Sequence, residues 1–107
     1  MNVLFVCSRN RWRSRTAETI FKNHQEHKIK SAGTENDARV RVSEKLVRWA
    51  ELIFVMEKRH KQRLIEKFDE ALSGKKIIVL DIEDNYGYMD EELIEMLTVS
   101  VRPFLWH

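Results

Sequence analysis

Four short strand-like runs, most of them apolar, recur along the chain, and each is followed by a segment with apolar residues at helical spacing. The runs cover residues 3–6, 28–32, 52–56 and 77–80. The third and fourth are nearly continuous rather than alternating, which is typical of strands covered by helices on both faces. We therefore predict four β-strands, with Gly33 ending the second.

The segments that follow these runs predict four helices. They cover about residues 16–21, 44–49, 58–72 and 90–101. Ser43 is placed to cap the second helix, and Trp49 at its end is expected in the core. Gly74 follows the third helix, and Pro103 is expected to distort or end the last turn of the fourth. Strand and helix alternate four times, which predicts one α/β domain, residues 1–107, with a doubly wound parallel sheet of four strands.

The first strand leads into a loop over residues 7–14 with the sequence Cys-Ser-Arg-Asn-Arg-Trp-Arg-Ser. The start of a helix carries backbone N–H groups without internal partners, and together with the helix dipole they attract anions. Cys7, the only cysteine of the chain, sits at this point, which favours its thiolate form. Arg13 adds a planar fork that can swing over the loop mouth and grip two phosphate oxygens. The alternative interpretation is an inert, buried cysteine at a strand end.

Two further residues suit a loop that wraps a phosphate. Asn10 tolerates the left-handed backbone that such a loop requires, and Ser14 can donate a hydrogen bond to the sulfur anion. In doubly wound sheets, ligands bind beyond the carboxyl ends of the strands. Cys7 follows the first predicted strand and Asp84 follows the fourth, so we expect both at that edge.

The loop resembles the signature of the low-molecular-weight protein tyrosine phosphatases, which is Cys, five residues, Arg and Ser. The resemblance continues, in the order of the family, through residues 30–34, 50–57 and 82–86, and it spans nearly the whole chain. It implies an α/β domain with a small parallel sheet flanked by helices. It also implies hydrolysis of a phosphate monoester, on a phosphorylated protein or a small aryl phosphate, through a phosphocysteine.

The resemblance and the needs of the reaction assign roles to individual residues. Cys7 is the expected nucleophile, and Arg13 with the loop amides is expected to bind the phosphoryl oxygens. Asp84 is the expected general acid and base, with Asp81 and Asp90 as fallbacks. Ser31 is expected to help hold the loop asparagine. The residues expected to bind substrate are Ser8, Arg9, Asn10, Arg11, Trp12, Ser14 and Tyr86.

Two of these assignments have simpler alternatives. Asp84 belongs to an acidic run, since residues 81–95 hold seven carboxylates and no basic side chain, and such runs are usually solvated surface. Tyr86, together with Tyr88, is expected to line the mouth of the site and stack on an aromatic leaving group. The alternative for Tyr86 is an ordinary core or surface tyrosine.

The chain departs from the family pattern at several positions. Arg9 stands where the family commonly has glycine, and Trp12 stands where many members have a second cysteine. Arg15 and Asn85 replace prolines, the second of which follows the acid. No histidine occurs around Asp37, where some members place one to support the loop. These departures concern rate and substrate range more than the type of reaction.

Composition indicates the class of protein and the compartment in which it works. The chain has 107 residues, 43% of them hydrophobic and 34% charged, which is typical of one soluble globular domain. A single cysteine cannot form an internal disulfide, which fits a reducing compartment, and we expect the protein in the cytoplasm. We find neither a membrane-spanning run nor a leader sequence and expect no membrane association. No cofactor is expected.

Charge is unevenly distributed, although the net charge is only +2. Residues 1–48 hold 11 basic and 5 acidic side chains, against 8 and 12 in the remainder. The arginines at positions 9, 11, 13 and 15 should attract acidic or multiply phosphorylated substrates to the loop. A second basic cluster, residues 58–63, lacks interleaved aromatics; we interpret it as a solvated face and expect no nucleic-acid partner.

The histidine pair His24 and His27 follows the first predicted helix. Two histidines one turn apart can in principle hold a metal. With no cysteine nearby and a high local charge, a solvated helix end is the preferred interpretation, and no metal site is predicted.

Two other functions stay open at the level of the sequence. Arsenate reduction on the same scaffold would need an external thiol, because the chain has no cysteine besides Cys7. A phosphate-binding module or a phosphocysteine carrier would need no general acid. Replacement of Asp84 separates these functions, because a carrier or reductase would keep its activity and a phosphatase would lose it.

Overall fold

The computed structural model describes residues 1–106 and contains one parallel sheet of four strands. The strands are β1 (Asn2–Cys7), β2 (Lys28–Gly33), β3 (Leu52–Val55) and β4 (Lys76–Val79). Their order in the sheet is β2-β1-β3-β4, and every neighbouring pair is parallel. The α/β class and the doubly wound parallel sheet that the sequence predicts are confirmed.

Four α-helices follow the strands in alternation. They are α1 (Arg13–Phe21), α2 (Glu44–Trp49), α3 (Lys58–Phe68) and α4 (Glu91–Leu105). The predicted third helix is too long, because α3 ends at Phe68 and a separate 3-10 turn follows over Glu70–Leu72. Pro103 does not end the fourth helix, which continues to Leu105, since a proline in the last turn removes only one backbone hydrogen bond.

The side chains of β1 alternate between the two layers of helices. Val3, Phe5 and Cys7 join the core formed with α1 and α4, whereas Leu4 and Val6 join the core formed with α2 and α3. This alternation follows from the two-residue period of a strand. All five side chains are buried, so β1 is the rigid centre of the domain.

The topology gathers the candidate chemistry at one edge of the sheet. β1 ends at Cys7, and the loop over residues 8–12 crosses this edge before α1 begins at Arg13. β2 ends nearby at Gly33, whose neighbour across the ladder is Cys7. β4 ends at Val79 and leads into the segment that holds Asp84. Cys7 and the segment that holds Asp84 therefore both follow the carboxyl ends of strands, which is the edge where ligands bind in sheets of this kind.

Among residues 1–106, no helix is long and apolar enough to cross a membrane.

Gly33 marks the closest approach of two backbones in this region. A Cβ atom at position 33 would lie 2.5 Å from the Ser8 carbonyl oxygen and 2.8 Å from the Ala38 Cβ. Rigid backbone cannot yield cheaply, so we expect Gly33→Ala to reduce the free energy of unfolding by about 1–3 kcal/mol, measured by urea denaturation. Gly87→Ala is the matched control, because nothing lies within 4 Å of a Cβ there. Equal stability of the two variants would contradict this interpretation.

Candidate active site

The loop over residues 8–12 is held from outside through its carbonyl oxygens. The backbone N–H groups of Thr34 and Glu35 donate to the carbonyls of Cys7 and Ser8, at 3.0 and 2.9 Å. Arg39 donates to the next two carbonyls, from its backbone N to that of residue 9 at 2.9 Å and from its Nε to that of residue 10 at 3.1 Å. Four successive carbonyls are therefore drawn to the 34–39 segment.

This arrangement turns the loop amides inward. The C=O and N–H of one trans peptide unit point in opposite directions, so the N–H groups of residues 8–11 face away from the 34–39 segment. The Asn10 N–H shows the result, because it points at the Cys7 Sγ with a distance of 3.3 Å. Asn10 has a φ of 57°, the left-handed conformation that the sequence predicts for it. Inward amides form a cradle for an anion.

The Asn10 side chain fixes the loop from below. Its Nδ2 donates to the Ser14 Oγ at 2.7 Å and to the Ser31 Oγ at 2.8 Å. Ser31 in turn donates to the carboxylate of Glu18. Ser31 thus lies in contact with Asn10, which is the contact that the sequence predicts. Asn10 and Ser14 are fully buried, so their side chains support the loop rather than line its mouth.

Cys7 lies at the floor of the cradle. Its Sγ is 2.9 Å from the Ser14 Oγ and also receives the Asn10 N–H. The Asn10 N–H thus donates to the sulfur, and the Ser14 hydroxyl, which also lies 3.3 Å from the Ala32 carbonyl oxygen, is a second group that can do so.

Arg13 is buried, with 2% of its side chain exposed, and it is fixed rather than free to swing. Its Nη1 donates to the Glu57 Oε2 and to the Ile82 carbonyl oxygen, both at 2.9 Å. Burial raises the pKa of Glu57, but hydrogen bonds from Arg13 and Arg59 outweigh it and lower the pKa, so Glu57 stays charged. The Arg13 Nη1 is therefore committed to the protein, and its Nε and Nη2 are the donors left for a ligand.

Asp84 is the acidic residue of its segment that lies beside the loop. Its Oδ1 is 3.6 Å from the Arg13 Nε, and 47% of its side chain is exposed. The two fallbacks lie elsewhere: Asp90 caps α4 by accepting the backbone N–H of Glu92, and Asp81 lines a separate cleft.

The cradle opens into a cavity of about 240 Å³. Its wall holds nine residues, Cys7, Ser8, Arg9, Arg11, Trp12, Arg13, Glu35, Arg59 and Asp84. Trp12 is 48% exposed there, whereas Tyr86 is half-buried, packs against the α1 and α4 core and does not line the cavity. The expectation that Tyr86 lines the mouth of the site is therefore wrong, and Trp12 supplies an aromatic side chain at the cavity wall instead.

The sequence analysis missed one buried residue of the site. His60 was predicted to belong to a solvated basic face, and this is wrong, because only 1% of its side chain is exposed. Its Nδ1 accepts the Glu57 backbone N–H at 3.0 Å, and its Nε2 lies 2.9 Å from the Ser8 Oγ. The spacing of Glu57 and His60, the N-cap and third residue of α3, is a capping-box spacing and was the available signal.

His24 and His27 lie in the loop after α1, which ends at Phe21, and both are partly buried. Their rings are 4.4 Å apart, and the His24 ring meets Trp106 edge-on at 4.5 Å. Within residues 1–106, no group of three or more His, Cys, Asp or Glu side chains is arranged to hold a metal ion.

Comparison with known proteins identifies the class of fold. Residues 2–49 match the model of the family described as low molecular weight phosphotyrosine protein phosphatase. The resemblance that the sequence shows to this family is confirmed over these residues, and the four-stranded α/β fold is shared with solved structures over 97% of this chain. Among curated protein sequences, none matches this chain.

Three solved structures illustrate the similarity. The tyrosine phosphatase Wzb from Escherichia coli K30, in complex with phosphate, has 22% identity and a TM-score of 0.78, over 97% of this chain and 95% of Wzb. Wzb from Vibrio vulnificus, in complex with benzylphosphonate, has 21% identity and a TM-score of 0.76, over 97% and 96% of the two chains. The YwlE arginine phosphatase from Geobacillus stearothermophilus has 22% identity and a TM-score of 0.72, over 99% and 97%.

The buried imidazole of His60 should make stability depend on pH. Burial lowers the pKa of His60 from 6.5 to about 4, and the charges of Arg13 and Arg59 act in the same direction. Between these values the unfolded chain binds a proton that the folded protein does not, so stability falls as the pH decreases. We expect the free energy of unfolding to drop by up to about 3 kcal/mol between pH 6.5 and 4.

Urea denaturation across this pH range measures the effect. His60→Gln removes the titrating group and should show a flatter dependence than the native protein. The pKa of Glu57 is lowered from its ordinary value, because the hydrogen bonds from Arg13 and Arg59 outweigh the effect of burial, so Glu57 contributes at the acidic end of the range. Parallel curves for the two proteins would contradict the assignment.

Proposed function

We propose that the chain is a cysteine-dependent phosphomonoesterase that hydrolyses phosphotyrosine, or a related aryl phosphate, through a phosphocysteine on Cys7. The observation that carries this proposal is the convergence on the Cys7 Sγ of the Asn10 N–H and the Ser14 hydroxyl, at the floor of a cavity that also holds Arg13 and Asp84. The free thiol that this chemistry needs favours the reducing cytoplasm.

In the first step, the Cys7 thiolate attacks the phosphorus atom from the floor of the cradle. A P–S bond forms, and the bond from phosphorus to the ester oxygen breaks. Asp84, in its protonated form, donates its proton to the departing oxygen, so that an alcohol or phenol leaves. The loop amides and the free donors of Arg13 bind the three equatorial oxygens as their charge redistributes.

In the second step, a water molecule takes the place of the departed alcohol. The Asp84 carboxylate accepts a proton from this water, whose oxygen attacks the phosphorus while the P–S bond breaks. Orthophosphate leaves, and both the thiolate of Cys7 and the protonated form of Asp84 are restored. The position of Asp84 at the cavity wall, with its Oδ1 3.6 Å from the Arg13 Nε, supports its proposed role in both steps.

The cavity wall favours a phosphorylated tyrosine over a phosphorylated arginine. Trp12 presents an exposed indole on which a phenyl ring can stack. Four arginines and only two carboxylates line the cavity, so the mouth attracts acidic peptides and disfavours the cationic guanidino group of a phosphoarginine. Both substrate classes are represented among the similar structures, Wzb as a tyrosine phosphatase and YwlE as an arginine phosphatase.

A matched set of variants tests the two reacting residues with para-nitrophenyl phosphate and with phenyl phosphate. We expect Cys7→Ser to abolish turnover and Asp84→Asn to lower kcat roughly 100-fold or more on phenyl phosphate. The loss should be smaller on para-nitrophenyl phosphate, because nitrophenolate leaves without a proton. Asp81→Asn is the matched control, since this carboxylate lies outside the cavity, and its activity should equal that of the native protein.

Retained turnover in Asp84→Asn on both esters would contradict the role of Asp84. Absence of turnover in the native protein would contradict the phosphatase itself and would favour a carrier or a reductase.

The aromatic platform predicts a change in selectivity. Trp12→Ala should raise KM for phosphotyrosine peptides by roughly tenfold, since loss of one stacked aromatic contact costs about 0.5–1.5 kcal/mol beyond its buried area. KM for a small alkyl phosphate should change little. Trp106→Ala removes an equally exposed indole that lies in another cleft and serves as the control. A Trp12→Ala variant with unchanged KM for the aryl substrate, or a native protein that prefers phosphoarginine peptides, would contradict the proposed selectivity.

A further inference from the structure

A second layer of contacts reaches the phosphate-binding loop from helix α3. The Ser8 side chain lines the cavity next to Cys7, and its Oγ lies 2.9 Å from the Nε2 of His60. His60 comes from a distant part of the chain, 52 residues further on, and is shielded from solvent. This contact joins a cavity wall residue to a buried titratable group that the mechanism above does not use.

The hydrogen bonds of His60 determine which ring nitrogen carries the proton. A backbone N–H can only donate, so the Nδ1 that faces the Glu57 N–H at 3.0 Å must be an acceptor. In the neutral ring the single proton is then on Nε2, and Nε2 donates to the Ser8 Oγ. Burial, with the nearby charges of Arg13, Arg59 and Arg63, lowers the pKa of His60 to about 4 and so keeps the ring neutral at pH 7.

When a hydroxyl oxygen accepts a hydrogen bond from a fixed donor, its own hydrogen points away from that donor. The Ser8 Oγ accepts from His60, so its one hydrogen is free to be donated elsewhere. Ser8 is the residue that directly follows Cys7, and the space on this side is the cavity. An anion in the cradle would offer a charged acceptor for the Ser8 hydrogen on the cavity side.

We propose that His60 is a positioning residue that orients the Ser8 hydroxyl to donate a hydrogen bond to the phosphoryl group bound in the cradle. The inference rests on the proposed function, because it takes the bound oxyanion to be the phosphoryl group of the substrate. Ser8 then adds a side-chain donor to the backbone amides of the loop. The chain of contacts runs from the start of α3, through the imidazole, to an oxygen of the substrate.

The first experiment measures the affinity for orthophosphate, which needs no turnover, by titration calorimetry. We expect Ser8→Ala to weaken orthophosphate binding roughly tenfold, as for loss of one hydrogen bond to a charged group. Ser8→Thr keeps the hydroxyl and should bind within about threefold of the native protein. A Ser8→Ala variant that binds orthophosphate as tightly as the native protein would overturn the proposal.

The second experiment tests whether His60 acts through Ser8. His60→Leu should weaken orthophosphate binding and lower kcat/KM on para-nitrophenyl phosphate, and His60→Gln, which keeps an N–H donor, should recover part of the loss. In the Ser8→Ala background, His60→Leu should have no further effect, because the hydroxyl that it orients is gone. Independent, additive losses from the two substitutions would overturn the positioning role and leave His60 a purely structural residue.

Nitrogen NMR of the native protein keeps the proposal testable if His60→Leu does not fold. The imidazole should show a protonated Nε2 and an unprotonated Nδ1 at pH 7, both before and after addition of orthophosphate. The opposite tautomer would overturn the proposal. Failure of the phosphatase reaction is a separate result: it would appear as no turnover in the native protein, while the effect of Ser8→Ala on orthophosphate binding would still be measurable.

Discussion

The geometry of the candidate active site depends on the hydrogen bonds that draw the carbonyl oxygens of residues 7–10 toward the 34–39 segment. With the carbonyls held outside, the amides of the same peptide units are left to face a ligand. Gly33 permits the close approach of the two segments, and the left-handed Asn10 allows the loop to turn. Because these bonds are satisfied by protein groups, the cradle exists before any anion binds, and binding costs little reorganisation.

Arg13 couples this cradle to the two other elements of the site. Its Nη1 donates to Glu57, at the start of α3, and to the carbonyl oxygen of Ile82, in the segment that follows β4. This segment is therefore held two residues before Asp84, and the Asp84 carboxylate itself lies beside the Arg13 Nε. A single buried guanidinium thus sets the relative positions of the anion cradle and of Asp84, the proposed proton donor. The negative charge of Glu57 offsets the cost of burying that cation.

The sequence predicts the fold and the Cys7 loop better than it predicts the residues that surround the loop. The strands and the Cys7 loop follow from apolar runs and from helix-start chemistry, and these are local properties. His60 was missed, because a histidine among lysines and arginines looks like solvated surface, and its capping-box spacing with Glu57 indicates a helix start but not burial against the loop. Arg39 was missed for the same reason, since its role depends on a contact with Asn10 across the sheet edge. Tyr86 was expected to line the mouth of the site, and only the packed structure shows that it joins the α1 and α4 core instead, while Trp12 lines the cavity.

The most direct test of the central claim is the mass of the intact protein after acid quench during turnover of para-nitrophenyl phosphate. Asp84→Asn should hydrolyse the intermediate slowly enough for it to accumulate. We predict a protein heavier by one phosphoryl group, with the modification on Cys7, and no such species in Cys7→Ala. Unmodified Asp84→Asn, or a phosphoryl group found on any other residue, would contradict the phosphocysteine mechanism.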